Sequence, residues 1–92
     1  MKIVIEHTPS KERLSELGVD SWGTWGCEES TFDWSYSDDE VCYVKEGEVD
    51  VETADGTVTI KAGDLVYFPK GLSCVWKVKK AISKVFTFGI RL

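Results

Sequence analysis

The chain is predicted to fold as an all-β domain, an antiparallel sandwich or small barrel, with one short helix near its N-terminus. Three observations carry this. Stretches of about six residues alternate apolar and polar side chains, the period of a strand with one wet face. The turn-forming clusters Ala54-Asp55-Gly56, Lys61-Ala62-Gly63-Asp64 and Pro69-Lys70-Gly71 interrupt them at short intervals. Helical spacing occurs once, where Leu14 and Leu17 stand three apart between Pro9 and Gly18.

The elements follow in order. Residues 2–7, KIVIEH, alternate from Ile3 and read as a short strand. Thr8 is placed to cap a helix with Pro9 in its first position, and Gly18 to end it. Residues 22–28 and 30–36 read as strands, the aromatic residues alternating as Trp25, then Phe32, Trp34 and Tyr36. Val41 to Lys45 is a β-rich run that stops at Glu46-Gly47, where glycine supplies positive φ for a hairpin. Val49 and Val51 alternate with Asp50 and Glu52, and the turn at 54–56 leads into Val58 and Ile60. Leu65 to Phe68 is the next strand, and Pro69 marks the end of its pairing. Cys74, Trp76 and Val78 share one face of a further strand, and Ile82 to Phe88 close the fold after a last hairpin. The expected organisation is a single domain, 1–92, with an N-terminal strand and helix over 1–21 and a barrel over 22–92.

Composition excludes several functions. A net charge of −5 opposes a nucleic-acid groove and an anionic membrane surface, both of which select basic faces. No apolar run reaches the ~20 residues that span a bilayer. Residues 1–6, MKIVIE, are too short for a secretory signal. Three widely spaced cysteines, Cys27, Cys42 and Cys74, fit reduced thiols and a cytoplasmic protein. A chain of 92 residues buries only about 60–65% of its unfolded surface, so its 11 aromatic residues are expected to carry much of its stability.

Two spacings are specific. Trp34-x-Tyr36-x3-Glu40-x6-Gly47 resembles the first cupin motif, G-x5-H-x-H-x3-E-x6-G, with both histidines replaced. Gly63-x5-Pro69-x-Gly71-x2-Cys74 resembles the second, G-x5-P-x-G-x2-H-x3-N, with cysteine at the histidine position and Val78 at the asparagine position. The stretches FDWSYSDDEVCYVKEGEVDV and GDLVYFPKGLSCVWKV are similar to the small cupins grouped with the cupin domain of ureidoglycine aminohydrolase. The resemblance, over residues 22 to 88, implies a double-stranded β-helix, the cupin jelly-roll barrel, with both motifs at its mouth. It also implies a homodimer, for which residues 2–7 offer an edge strand.

The family's metal site has three imidazoles and a carboxylate. By residue-for-residue carry-over this chain keeps Glu40 and offers Cys74, while Trp34 and Tyr36 stand at the two first-motif histidine positions. Tryptophan has no lone pair for a metal, and two good ligands fall short of the three or four that zinc takes. Loss of the metal is therefore expected. Were a divalent ion to bind, Glu40 and Cys74 would hold it, with Cys42, of the same strand parity as Glu40, as a third donor. His7 lies outside both motifs.

Without metal, Glu40 and Cys74 are expected to face each other in an aromatic-lined pocket. Glu40 is the candidate general acid or base, since burial moves a carboxyl towards neutrality. Cys74 has neither a histidine partner nor a helix N-terminus to activate its thiol. Tyr36 offers a hydroxyl to orient a carbonyl. Trp34 and Trp76 offer flat walls, Cys42 an inward thiol, and Lys70 a cation near the mouth for an acidic ligand. Asp38 and Asp39 read as a solvated turn, and Lys77, Lys79 and Lys80 as a polar outer face. Three functions stay open: a small-molecule-binding barrel built around Glu40 and Cys74; an enzyme like ureidoglycine aminohydrolase acting on a small nitrogenous or carbonyl compound; and a structural or regulatory module with a filled lumen.

Overall fold

A computed structural model, describing residues 2–92, shows a jelly-roll barrel of antiparallel strands with a helix on its outside. The strands are β1 (Val4–His7), β2 (Gly23–Cys27), β3 (Ser30–Ser35), β4 (Glu40–Thr53), β5 (Gly56–Lys61), β6 (Asp64–Phe68) and β7 (Ser73–Phe88). The helix α1 spans Lys11–Leu17. Along the sheet the order is β1-β6-β4-β7-β2, with β3 also paired to β7 and β5 to β4. The two long strands, β4 and β7, form the spine, and every pairing but β1–β6 involves one of them.

The helix start differs from the expectation. Ser10, not Thr8, is the N-cap, its Oγ accepting from the Arg13 N–H at 3.1 Å. Thr8 instead takes a positive φ of 44° and donates its N–H to the Gly63 carbonyl at 2.9 Å, which anchors the chain as it leaves β1. Gly18 ends the helix at φ 74°, in the left-handed region that favours glycine.

β4 and β7 correct the sequence reading more deeply. The expected hairpin at Glu46-Gly47 is absent, because Val41–Lys45 and Val49–Glu52 belong to one continuous 14-residue strand. Nor is there a hairpin between Val78 and Ile82, since β7 runs unbroken for 16 residues. Register shifts between Val44 and Val49 do the work that hairpins were expected to do. Such bulges bend and twist a strand without ending it, so one strand serves both halves of a barrel. Gly47 sits in this bulge at φ 95°, with the Ala81 carbonyl so close that a Cβ would lie 2.3 Å from its oxygen. The turn at Ala54-Asp55 is the two-residue hairpin anticipated, closing Thr53 opposite Gly56.

Alternation then sorts the side chains. Glu40, Cys42 and Val44 point into the barrel, where Val49, Val51, Ile60, Val66, Phe68, Trp76, Val78 and Ile82 complete the main core. Val41, Leu65 and Tyr67 point the other way and are covered by Leu14, Leu17 and Trp22. This explains why all of β6 is buried: one face fills the lumen and the other carries the helix. Lys77 and Lys79 do lie on the outer face, paired with Glu52 at 2.7 Å and Glu48 at 2.9 Å across the β4–β7 ladder. Among the described residues no helix is long and apolar enough to cross a membrane.

Candidate functional site

At one end of the barrel lies a cavity of about 220 Å³, lined by Trp25, Phe32, Trp34, Tyr36, Glu40, Trp76, Lys84, Phe86 and Phe88. Four strands build it. Trp25 comes from β2, Phe32 and Trp34 from β3, Glu40 from the first position of β4, and Trp76, Lys84, Phe86 and Phe88 from β7. The rim is apolar and open, with Trp34 and Phe88 half exposed. The floor is buried.

That floor holds an ion pair. Lys84 Nζ donates to Glu40 Oε2 at 2.8 Å, and both side chains are more than nine-tenths buried (7% and 6% exposed). Around the ammonium stand four aromatic rings, Trp76 at 4.9 Å, Trp25 at 5.2 Å, and Phe68 and Phe86 at 5.9 Å from their centroids. Ring faces carry negative potential, so each contributes roughly 0.5–2 kcal/mol towards holding a desolvated cation. The cage is itself rigidly packed: Phe32 stacks on Trp76 at 6.0 Å, and Trp25 meets Trp76 edge-on at 6.0 Å.

Lys84 is the residue that sequence reasoning missed. It stands opposite Val44 on β4 and opposite Trp25 on β2. The signal was present: Cys74, Trp76, Val78 and Ile82 share one parity, and Lys84 continues it. Breaking β7 at an expected hairpin hid that continuity.

The expected site residues divide. Glu40, Tyr36, Trp34 and Trp76 come together around the cavity; Cys42, Cys74 and Lys70 do not line it. Cys42 is wholly buried in the main core, and burial foremost pushes its thiol up to about 12. Cys74 is not the partner of Glu40. Its Sγ points to the Trp34 carbonyl at 3.6 Å, and burial again raises its pKa. Lys70 is exposed in its loop, and its backbone N–H, not its ammonium, is engaged, donating to Asp39 Oδ1 at 2.9 Å. Asp39 is no idle turn residue. It also accepts from Tyr67 Oη at 2.8 Å and Arg91 Nε at 3.2 Å, tying the loop before β4 to β6 and the C-terminus. His7 is bound to Asp64 at 2.7 Å, far along β1.

Tyr36 is stacked on Phe68, centroids 4.7 Å apart and planes 7° from parallel. Burial above all, then the nearby Glu40, Cys74 and Cys42, raises its pKa far beyond the ordinary phenol range. Its hydroxyl therefore stays protonated. Trp76 Nε1 lies near enough to the Tyr36 hydroxyl and the Cys74 thiol to offset part of their upward shifts. Neither contact has hydrogen-bond geometry, and Tyr36 Oη and Trp76 Nε1 are both buried without a partner among the described residues.

These groups do not fit a metal. Trp34 has no donor atom to give, and Cys74 is turned to a backbone carbonyl. The remaining ligand, Glu40, is already neutralised by an ammonium. Among the described residues no three His, Cys, Asp or Glu side chains gather. The thiols also predict a simple labelling pattern. With iodoacetamide at pH 8, native protein should take up one equivalent, at the half-buried Cys27, while Cys42 and Cys74 react only after unfolding; mass mapping of the alkylated peptides checks this.

The profile of the EutQ-like cupin domain matches residues 14–86. This chain belongs to the EutQ-like cupin family. A crystal structure of a DUF861-family protein from Thermotoga maritima is similar at 46% identity and TM-score 0.91, covering 96% of this chain and 100% of that one. The Clostridium difficile EutQ structure is similar at 25% identity and TM-score 0.65, covering 91% of this chain and 64% of that one. A curated relative, acetate kinase EutQ of Clostridioides difficile strain 630, is 37% identical over 49 residues. Those residues are 53% of this chain but only 31% of the relative, so the matched segment spans about a third of that protein. The comparisons thus place the chain among the EutQ-like cupins and do not single out the narrower grouping with ureidoglycine aminohydrolase.

Proposed function

We propose that this EutQ-like cupin binds a small, largely planar molecule in the aromatic cavity, anchored on the Glu40–Lys84 pair rather than on Glu40 and Cys74. One observation carries the reading: a buried ion pair at the floor of an open cavity. Desolvating two charges costs several kcal/mol per ion, and replacing such a pair with apolar side chains is often neutral or stabilising. A merely structural plug would be built more cheaply from leucine. The cavity's size also speaks for a ligand. Volumes of ~300–1,000 Å³ suit drug-sized molecules, and this one suits something smaller.

The other readings have less support. A hydrolase like ureidoglycine aminohydrolase would need metal ligands at positions 34, 36 and 74, where this chain has Trp34, Tyr36 and a turned-away Cys74. The acetate kinase named for the Clostridioides relative is an activity of a much longer chain. Phosphoryl transfer also calls for several cationic groups around the phosphates, and the cavity wall carries a single ammonium.

Three of the chain's 4 tryptophans line the cavity, so intrinsic fluorescence reports occupancy. Titration with toluene and benzamide should quench it saturably, and each should raise the melting temperature by several degrees near 100 Kd. Trp25→Ala, at the partly exposed rim, should abolish both effects, at a stability cost of about 1–3 kcal/mol from its lost contacts with Trp76 and Lys84. Linear, non-saturating quenching that is equal in both proteins would overturn the reading.

A further inference from the structure

The charge and hydrogen-bonding state of the cavity floor point beyond shape. Lys84 spends one of its three N–H donors on Glu40 Oε2, and among the described residues no other side chain or carbonyl accepts from it. Glu40 Oε1 takes no hydrogen bond from the described residues. The floor therefore presents a donor beside an acceptor, with opposite charges that cancel. No other ionisable group lines the cavity apart from Tyr36, whose hydroxyl is neutral.

Each ligand class meets this floor differently. A carboxylate would gain an N–H from Lys84 but set a second anion against Glu40 on a buried floor walled by aromatic rings. An ammonium would bond Glu40 but compete with Lys84 for it, placing two cations in one cage. Like charges at such distances repel strongly where water is excluded. A purely apolar molecule would fill the cavity and leave Glu40 Oε1 and the remaining Lys84 N–H donors without partners, at a cost of about 1–3 kcal/mol for each group.

We infer that the site selects a neutral planar ligand carrying a carbonyl next to an N–H, the edge shared by primary carboxamides, lactams and ureides, with the carbonyl on Lys84 and the N–H on Glu40 Oε1. This rests on the binding reading above and names the chemistry of its ligand. The carbonyl oxygen accepts from the ammonium while the amide hydrogen is donated to the carboxylate, so neither partner is left dry. The rest of the ligand lies among Trp25, Trp34 and Phe86, whose rings supply most of the affinity and little of the choice.

Four probes of nearly equal size separate the possibilities at pH 7: benzamide, benzoate, benzylammonium and toluene, each titrated by tryptophan fluorescence. Benzamide is expected to bind at least about tenfold more tightly than any of the other three, a discrimination of about 1.4 kcal/mol. In the double variant Glu40→Leu/Lys84→Met, which exchanges the pair for apolar side chains of similar volume, that preference should vanish while toluene binds as well or better. Benzoate or benzylammonium equalling benzamide would overturn the inference and leave the cavity as a binding site. Binding of none of the four would overturn both. A benzamide preference that survives in the double variant would show that other groups make the choice, and the assignment to Glu40 and Lys84 would fall.

Discussion

Replacing Lys84 with methionine is expected to destabilise the protein by about 3–5 kcal/mol, because it leaves the Glu40 carboxylate buried without its counter-ion. For a domain of this size that is a loss of roughly 15–30 °C in melting temperature, enough to leave the variant marginally folded. The cause is desolvation rather than lost packing, since methionine fills nearly the same space among Trp25, Phe68, Trp76 and Phe86. The double variant Glu40→Leu/Lys84→Met removes both charges and should recover most of the loss, or exceed the wild type. Thermal unfolding of the two variants by circular dichroism checks the pair. A single Lys84→Met variant within about 1 kcal/mol of wild type would mean that Glu40 escapes to water, as a surface ion pair would allow.

The second large effect belongs to Gly47. Gly47→Ala should cost about 3–5 kcal/mol, combining backbone strain at φ 95° with a collision against β7. An added Cβ would sit 2.3 Å from the Ala81 carbonyl oxygen and 2.7 Å from Ile82 Cα, both backbone atoms that cannot swing aside. Gly56 is the internal control. Its φ of 122° is equally unfriendly to alanine, but nothing lies within 4 Å of the position a Cβ would take. Gly56→Ala should therefore cost only about 1–2 kcal/mol, from conformation alone. Denaturant unfolding of the two variants separates conformational strain from steric contact. Equal losses would show that β4 and β7 do not approach closely at the bulge.

Gly47 also shows how far the fold was legible. Strand periodicity located nearly every β segment, and the Ala54-Asp55-Gly56 turn was read correctly because its chemistry is local. Positive φ at Gly47 was equally readable, but whether glycine marks a hairpin or a bulge depends on what passes alongside. Here it is Ala81, 34 positions later in the chain. The N-cap was displaced by two residues for a similar reason: Thr8 is held by the Gly63 carbonyl and is not available to begin the helix.

The site was legible in part. Glu40 was found because its burial among apolar residues demands a partner. Cys74 was assigned that partnership because it stands at a motif position, yet its thiol is turned to Trp34. The true partner, Lys84, is 44 residues from Glu40 and lies in the segment assigned to a final hairpin. A lysine between a serine and a valine, as Lys84 is, reads as a solvated exterior residue, and such lysines usually are. Its inward direction follows only if β7 is a single strand, which the bulges opposite β4 permit. The rim aromatics Trp25, Phe86 and Phe88 were missed with it, for they face the cavity only when β2 and β7 pair.

The most direct measurement is a high-resolution crystal structure of the protein grown with benzamide. Lys84 Nζ is expected within hydrogen-bond distance of Glu40 Oε2, with the amide edge seated on the pair and its ring among Trp25, Trp34 and Phe86. A Glu40 carboxylate turned to bulk solvent, or coordinating a metal ion with Lys84 outside the barrel, would contradict it.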